Sequence, residues 1–203
     1  MIGIINYGLG NLSSVKNAFK KVSQDVEVFE DPNLIKKYSK LVLPGVGSFK
    51  AGMNLLVEKK WNDKIEKFVK SGKYLFGICL GMQLLFKNGF EDGETEGLNL
   101  IEGSVTKMEV DQNLKLPHVG WNSLIFKKEH ELFDKINKNI DYYFVHSYSC
   151  NPIDKKNILA EFNYGKNFTS TVAKDNVIGT QFHPEKSLPS GLQLIKNFVN
   201  LKD

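Results

Sequence analysis

The chain opens on a short apolar run, IGIINY, which lacks the strict alternation of a half-wetted strand. Such a run suits a strand covered on both faces of a parallel sheet. Gly8 and Gly10 follow as turn residues, and Asn11 or Ser13 can cap what comes next. Leu12, Val15, Phe19 and Val22 then recur at the three-and-four spacing of one buried helix face. The unit repeats. VEVF and KLVLPG predict a second and a third strand, Trp61, Ile65, Phe68 and Val69 mark a helix stopped by Gly72, and YLFGI predicts the strand after it. Alternating strands and helices predict an α/β fold, an open and mostly parallel sheet flanked by helices. From Ser104 the texture changes to short strands, SVTKMEV, YYFVHSY, ILAEF, TSTVA and VIGTQFH, the last two joined by a turn at Lys174 to Asn176. These predict an antiparallel strand extension. A last helix from about Ser190 would bury Leu192, Ile195, Phe198 and Val199. With no repeat, linker or low-complexity stretch, residues 1–203 are read as one domain.

Composition narrows the class without changing this picture. Hydrophobic residues at 41% and charged residues at 25% are those of a globular protein, neither disordered nor membrane-embedded. No apolar run approaches the roughly 20 residues of a bilayer span. The start MIGIINYG lacks a basic leader and cleavage pattern, so a cytoplasmic protein is expected. The net charge of +4 arises from lysines interleaved with acids, as between Lys59 and Lys70. No basic tract carries interspersed aromatics, which argues against a nucleic-acid partner. The two cysteines, Cys79 and Cys150, form neither a disulfide framework nor a paired metal motif. Both are expected to be free, and no metal or cofactor is expected.

The chemistry concentrates in Tyr74-Leu-Phe-Gly-Ile-Cys79-Leu-Gly81-Met-Gln83, where an apolar strand runs through Gly77-Ile-Cys79-Leu-Gly81 into a helix. This is the pattern of a nucleophile elbow with cysteine in place of serine. A sharp strand-to-helix turn crowds the backbone on both sides of the nucleophile, so glycine is favoured two residues before and two after. A thiol at a helix N-terminus is also favoured as thiolate, the competent nucleophile. Without those glycines, Cys79 would read as a small buried hydrophobe.

A cysteine that attacks an amide needs a base able to return a proton to departing ammonia, and histidine suits that near neutral pH. Of four histidines, His130 lies in a charged surface stretch, His118 in a loop beside Pro117, and His146 within a strand as a hydrogen-bonded core residue. His183 ends VIGTQFH and is followed by Pro184 and Glu185, placing a carboxylate across a stiff turn where it could orient the imidazole. The alternative for this pair is an ordinary salt bridge. Leu43-Pro44-Gly45-Val46-Gly47 offers glycine-rich amides for an oxyanion, or else a plain strand-ending turn. No Walker-type Gly-Lys-Ser/Thr follows it, so phosphate binding is a poor reading.

At PGVG (Pro44 to Gly47), GICLGMQ (Gly77 to Gln83) and HPE (His183 to Glu185) the sequence resembles the class I, or triad, glutamine amidotransferases over nearly its whole length. NYGLGNLSSV, KLPHVGWN at Lys115 to Asn122, YFVHSY and QFHPEKS are similar, more narrowly, to the glutaminase subunits of imidazole glycerol phosphate synthases. The resemblance implies that glutamine is hydrolysed and ammonia passed to a (β/α)8 cyclase subunit in histidine biosynthesis. Having no barrel of its own, the chain is expected to act in a heterodimer.

Carried over residue by residue, the resemblance implies Cys79 as the nucleophile forming a γ-glutamyl thioester, His183 as acid and base, and Glu185 as orienter. It implies that Gln83 contacts glutamine, with Glu91 as a weaker candidate. Gly47 and Leu80 would supply amides near the oxyanion, and Ser147 and Tyr148 would hold the amino-acid end. Pro117, Trp121, Asn122, Tyr143 and Lys186 would face the cyclase and line the ammonia exit; the alternative for these residues, Trp121 especially, is an ordinary core or surface role. Family members are typically quiet until the partner binds its ligand, and a peptide flip in Gly45-Val46-Gly47 is one physical route. Three other readings share parts of the pattern: a paralogous glutaminase serving another synthetase such as a surface-sugar amidotransferase, an idle binding subunit, and a cysteine peptidase or γ-glutamyl hydrolase.

Overall fold

A computed structural model describes residues 1–187 and 189–202. In chain order the elements are β1 (Ile2–Ile5), α1 (Leu12–Lys20), β2 (Val26–Phe29), β3 (Lys40–Leu43), α2 (Phe49–Glu58), α3 (Asn62–Lys70), β4 (Leu75–Ile78) and α4 (Leu80–Leu84). There follow β5 (Phe86–Gly89), β6 (Thr95–Glu96), β7 (Ile101–Lys107), β8 (His118–Ser123), β9 (Ile125–Phe126) and β10 (Asp141–His146). The chain continues through β11 (Tyr148–Pro152), β12 (Ile158–Tyr164), β13 (Lys166–Lys174), β14 (Val177–Thr180) and α5 (Ser190–Asn200). Among the described residues the main sheet has eight strands in the order β2-β1-β3-β4-β14-β13-β12-β9. The five from β2 to β14 run parallel and the remaining three antiparallel. Two smaller sheets, β10-β8 and β11-β7-β5-β6, lie beside it.

The parallel strands are apolar because both faces are covered: β1, β3, β4 and β14 are buried at every position. One face packs Val15, Phe19, Phe198 and Leu194 of the first and last helices over Ile4, Val42 and Phe76. The other packs Phe49, Leu56, Ile65 and Phe68 over Ile5, Leu41 and Leu75. Asn11 caps α1 by accepting the Ser14 amide, which settles the choice between the two sequence candidates.

The helix α2 is not among the expected elements; Ser48 caps it by accepting the Ala51 amide. Three local expectations change. His118 is no loop residue: it opens β8 and is buried, its ring stacked on Phe162 at 5.3 Å. YYFVHSY is broken at Ser147 into β10 and β11, which belong to different sheets. VIGTQFH leaves the sheet at Thr180, so His183 stands three residues beyond the strand and precedes a 3-10 turn, Pro184–Lys186. No helix among the described residues is long and apolar enough to cross a membrane.

Candidate active site

The register of the central strands assembles the site. β3, β4 and β14 are parallel neighbours, with Thr180 opposite Ile78 and Leu43 opposite Gly77, so the segments leaving their C-terminal ends emerge side by side. Such carboxyl ends are where open α/β sheets bind ligands. The segments are Pro44 to Gly47 after β3, Cys79 after β4, and Gln181 to His183 after β14. One hydrogen bond, Cys79 N–H to Thr180 O at 2.7 Å, extends the pairing past the end of the strands.

Cys79 lies at φ +54° and ψ −111°, a conformation rare for a residue with a side chain. Strain of this kind costs about 1–3 kcal/mol and persists only where the surroundings hold it. The flanking glycines allow it. A Cβ on Gly81 would sit 1.8 Å from Leu43 O, and one on Gly77 2.6 Å from Gly81 O. The elbow is thus wedged against β3, and its glycines answer to backbone, which cannot move aside. Leu80 opens α4, so its amide has no intrahelical acceptor.

The thiol lies at one wall of a cavity of about 340 Å³ also lined by Val46, Gly47, Leu80, Gln83, Glu91, Pro117, Val145, His146, Ser147, Tyr148 and His183. His183 is 2% exposed, and its Nδ1 lies 2.8 Å from Glu185 Oε1. Among the described residues the other ring nitrogen, Nε2, has no hydrogen-bond partner. Burial by itself would lower the His183 pKa; the Cys79 sulfur and the Glu185 carboxylate outweigh it and raise the pKa to about 10. The ring therefore couples electrically to sulfur on one side and is oriented by carboxylate on the other, although no hydrogen bond to the thiol is closed. His146 is the opposite case: burial drives its pKa down to about 3, and its neutral ring donates from Nδ1 to Tyr148 O at 2.8 Å. That agrees with its reading as a hydrogen-bonded histidine, but its place on the cavity wall is additional.

Every residue expected to hold glutamine lines this one cavity: Gly47, Leu80, Gln83, Glu91, Ser147 and Tyr148. Glu91 also receives the Phe49 amide at 2.8 Å. Gln83 donates through Nε2 to Tyr148 O (3.2 Å) and to Gln181 Oε1 (3.1 Å), which leaves its Oε1 for a ligand. Gly45, buried beneath the loop, abuts the Tyr7 hydroxyl, itself buried and without a hydrogen-bond partner among the described residues.

The expected partner face divides. Pro117 reaches the cavity. Trp121 is 55% exposed and its ring meets Tyr143 edge-on at 5.8 Å, with Lys186 Nζ 5.2 Å from the Tyr143 ring centre. Asn122 turns to Asn163 O at 2.7 Å, tying β8 to β12. Tyr143 also anchors His183: its carbonyl accepts the His183 amide at 2.9 Å, and its own amide donates to Ser187 Oγ, which in turn donates to His183 O. Sequence reasoning gave no role to Ser187, Val145 or Gln181. The signal available for the last was its position within QFHPEKS, two residues before the histidine.

The Glutamine amidotransferase class-I family model matches residues 3–201, and the chain belongs to that family. Solved structures share the fold: PurLQS from Thermotoga maritima superposes with a TM-score of 0.77 at 19% identity, over 98% of this chain and 97% of that one. Much nearer in sequence is the imidazole glycerol phosphate synthase subunit HisH of Sulfurimonas denitrificans, 45% identical over 100% of this chain and 99% of the relative. The subunit HisH 2 of Methanococcus maripaludis is 46% identical over 98% of both chains.

Proposed function

We infer that this chain is the glutamine-hydrolysing subunit of an imidazole glycerol phosphate synthase, releasing ammonia for a (β/α)8 cyclase subunit with which it forms a heterodimer. The observation that carries the reading is one cavity holding a strained thiol and an imidazole backed by carboxylate, in a chain 45% identical to a HisH subunit from end to end.

The chemistry follows from the positions. The Cys79 sulfur, as thiolate, attacks the γ-carboxamide carbon of glutamine, and the carbonyl π electrons move onto oxygen. The Gly47 and Leu80 amides receive that oxyanion. His183, protonated and held by Glu185, gives its proton to the amide nitrogen as the C–N bond breaks, so ammonia departs and a γ-glutamyl thioester remains. Water then attacks the thioester with neutral His183 taking its proton, and the sulfur leaves as glutamate forms. Glu91 offers negative charge for the substrate ammonium, and the Ser147–Tyr148 main chain lies beside it. Beyond Pro117, the exposed Trp121 and Lys186 with the half-buried Tyr143 make a surface that a partner can cover, with Asn122 fixing the strand beneath. Burying ammonia's exit under that surface keeps it from water and protonation.

The test is glutamate release by the purified chain alone, and with a histidine-pathway cyclase and its ribonucleotide ligand. Ligand-dependent stimulation that Cys79→Ala abolishes supports the reading. A cyclase that neither binds nor activates the chain, while a thiol-directed glutamine analogue still labels Cys79, would transfer the ammonia to a different synthetase.

A further inference from the structure

We propose that Gln181 is a further residue of the reaction site, the last member of a two-amide relay that starts at Gln83 and ends by donating a hydrogen bond to the Cys79 sulfur, holding the nucleophile and favouring its thiolate. The inference rests on Cys79 being the nucleophile, as argued above. Gln181 is fully buried, and its Nε2 lies 3.8 Å from Cys79 Sγ while its Oε1 accepts from Gln83 Nε2 at 3.1 Å. Its backbone is fixed by its amide bonding Ser170 O at 2.7 Å, just past the end of β14. The side chain is therefore aimed at sulfur from the neighbouring strand.

The direction of the relay is set by its far end. Gln83 Nε2 also donates to Tyr148 O, a main-chain carbonyl that can only accept. Turning the Gln83 amide over would place oxygen against oxygen there. Turning Gln181 alone would oppose its Nε2 to that of Gln83. With the Tyr148 end anchored, the only arrangement free of such clashes presents N–H to sulfur. The thiol has one further contact of this kind, a 4.0 Å approach as donor to Val145 O, which is available to the protonated form alone. Gln181 thus favours the anion where Val145 favours the thiol.

The same polarity constrains the substrate. Both hydrogens of Gln83 Nε2 are used within the protein, so the atom left for glutamine is Oε1, which accepts. A substrate N–H bound there would polarise Gln83, then Gln181, and so strengthen the last bond to sulfur, since bonds in such a chain reinforce one another. Occupancy of the glutamine site would in this way be felt at the nucleophile through two side chains.

The experiment is the pH dependence of Cys79 alkylation by iodoacetamide, followed by mass spectrometry of the Cys79 peptide, in wild type, Gln181→Met and Gln181→Glu. Met fills the volume without a polar group; Glu keeps the shape and the acceptor for Gln83 while placing a carboxylate at sulfur. The alkylation midpoint should rise by about one pH unit in Gln181→Met, the effect of losing one hydrogen bond to a charged group, and further in Gln181→Glu. Partner-stimulated kcat should fall about tenfold with KM changed much less. Coincident midpoints in wild type and either folded variant would overturn the relay. Should Cys79→Ala keep glutaminase activity, the nucleophile assignment itself would fall, whatever the Gln181 variants show.

Discussion

At the residue scale, His183 is a buried ring that burial would keep neutral and that its two neighbours make more basic. Removing either neighbour should release the effect of burial. In Cys79→Ala and in Glu185→Gln the pKa of His183 should fall, read from the pH titration of its ring carbons by NMR; an unchanged titration in both would mean that neither group sets it. Glu185→Gln should also lower partner-stimulated turnover by at least about a hundredfold, because the amide can hold the opposite tautomer and cannot stabilise imidazolium. Gly47 makes a different point. It lies at φ +110°, and a Cβ there would find its nearest neighbour, Leu9 Cδ1, at 3.9 Å, so space is available and the backbone angle is the obstacle. Gly47→Ala is expected to leave the fold intact and to reduce stimulated ammonia release, checked by thermal melting alongside glutaminase assay. Wild-type turnover in the variant would show that this segment need not hold its left-handed turn.

At the element scale, the elbow between β4 and α4 was legible because its requirement is local and steric. Glycines two residues either side of a cysteine record the approach of Leu43 O and of the elbow's own helix to that turn. Gly81→Ala should therefore fail to fold or lose several degrees in melting temperature, since the clash is with backbone; a melting point within a degree of wild type would contradict this packing. The β8–β10 ribbon was not legible in the same way. YYFVHSY reads as one strand, and its division at Ser147 depends on which sheet each half joins. The ribbon leaves Trp121 facing out at 55% exposure beside Tyr143. Trp121→Ala is expected to shift the chain's own stability by less than about 0.5 kcal/mol, as for exposed sites generally, while weakening cyclase binding about tenfold or more. Calorimetric titration against the cyclase would check it, and undiminished affinity would move the partner face elsewhere.

At the scale of the whole molecule, two buried histidines pull pH stability in opposite directions. His183, with its pKa raised to about 10, binds its proton more tightly folded than unfolded. Its contribution is complete below the unfolded value of about 6.5 and is lost as pH rises through 10. His146, lowered to about 3, contributes fully above about 6.5 and loses that contribution as pH falls toward 3. Denaturant midpoints across pH should therefore be greatest near neutrality. The alkaline slope should be smaller in Cys79→Ala and in Glu185→Gln, and an alkaline limb unaltered by both would exclude His183 as its source.

The sequence by itself determined the alternation of strands and helices, the burial of the parallel strands, the elbow and the pairing of His183 with Glu185, because each is written in spacings of a few residues. Tertiary structure alone decided what meets what across the sheet. That β14 returns beside β4, with Thr180 opposite Ile78, brings residues 79 and 181 together. No local pattern records contacts between residues tens to more than a hundred positions apart, and so Gln181 at the sulfur, His118 inside a strand and Tyr143 anchoring His183 emerged only once the strands were in register.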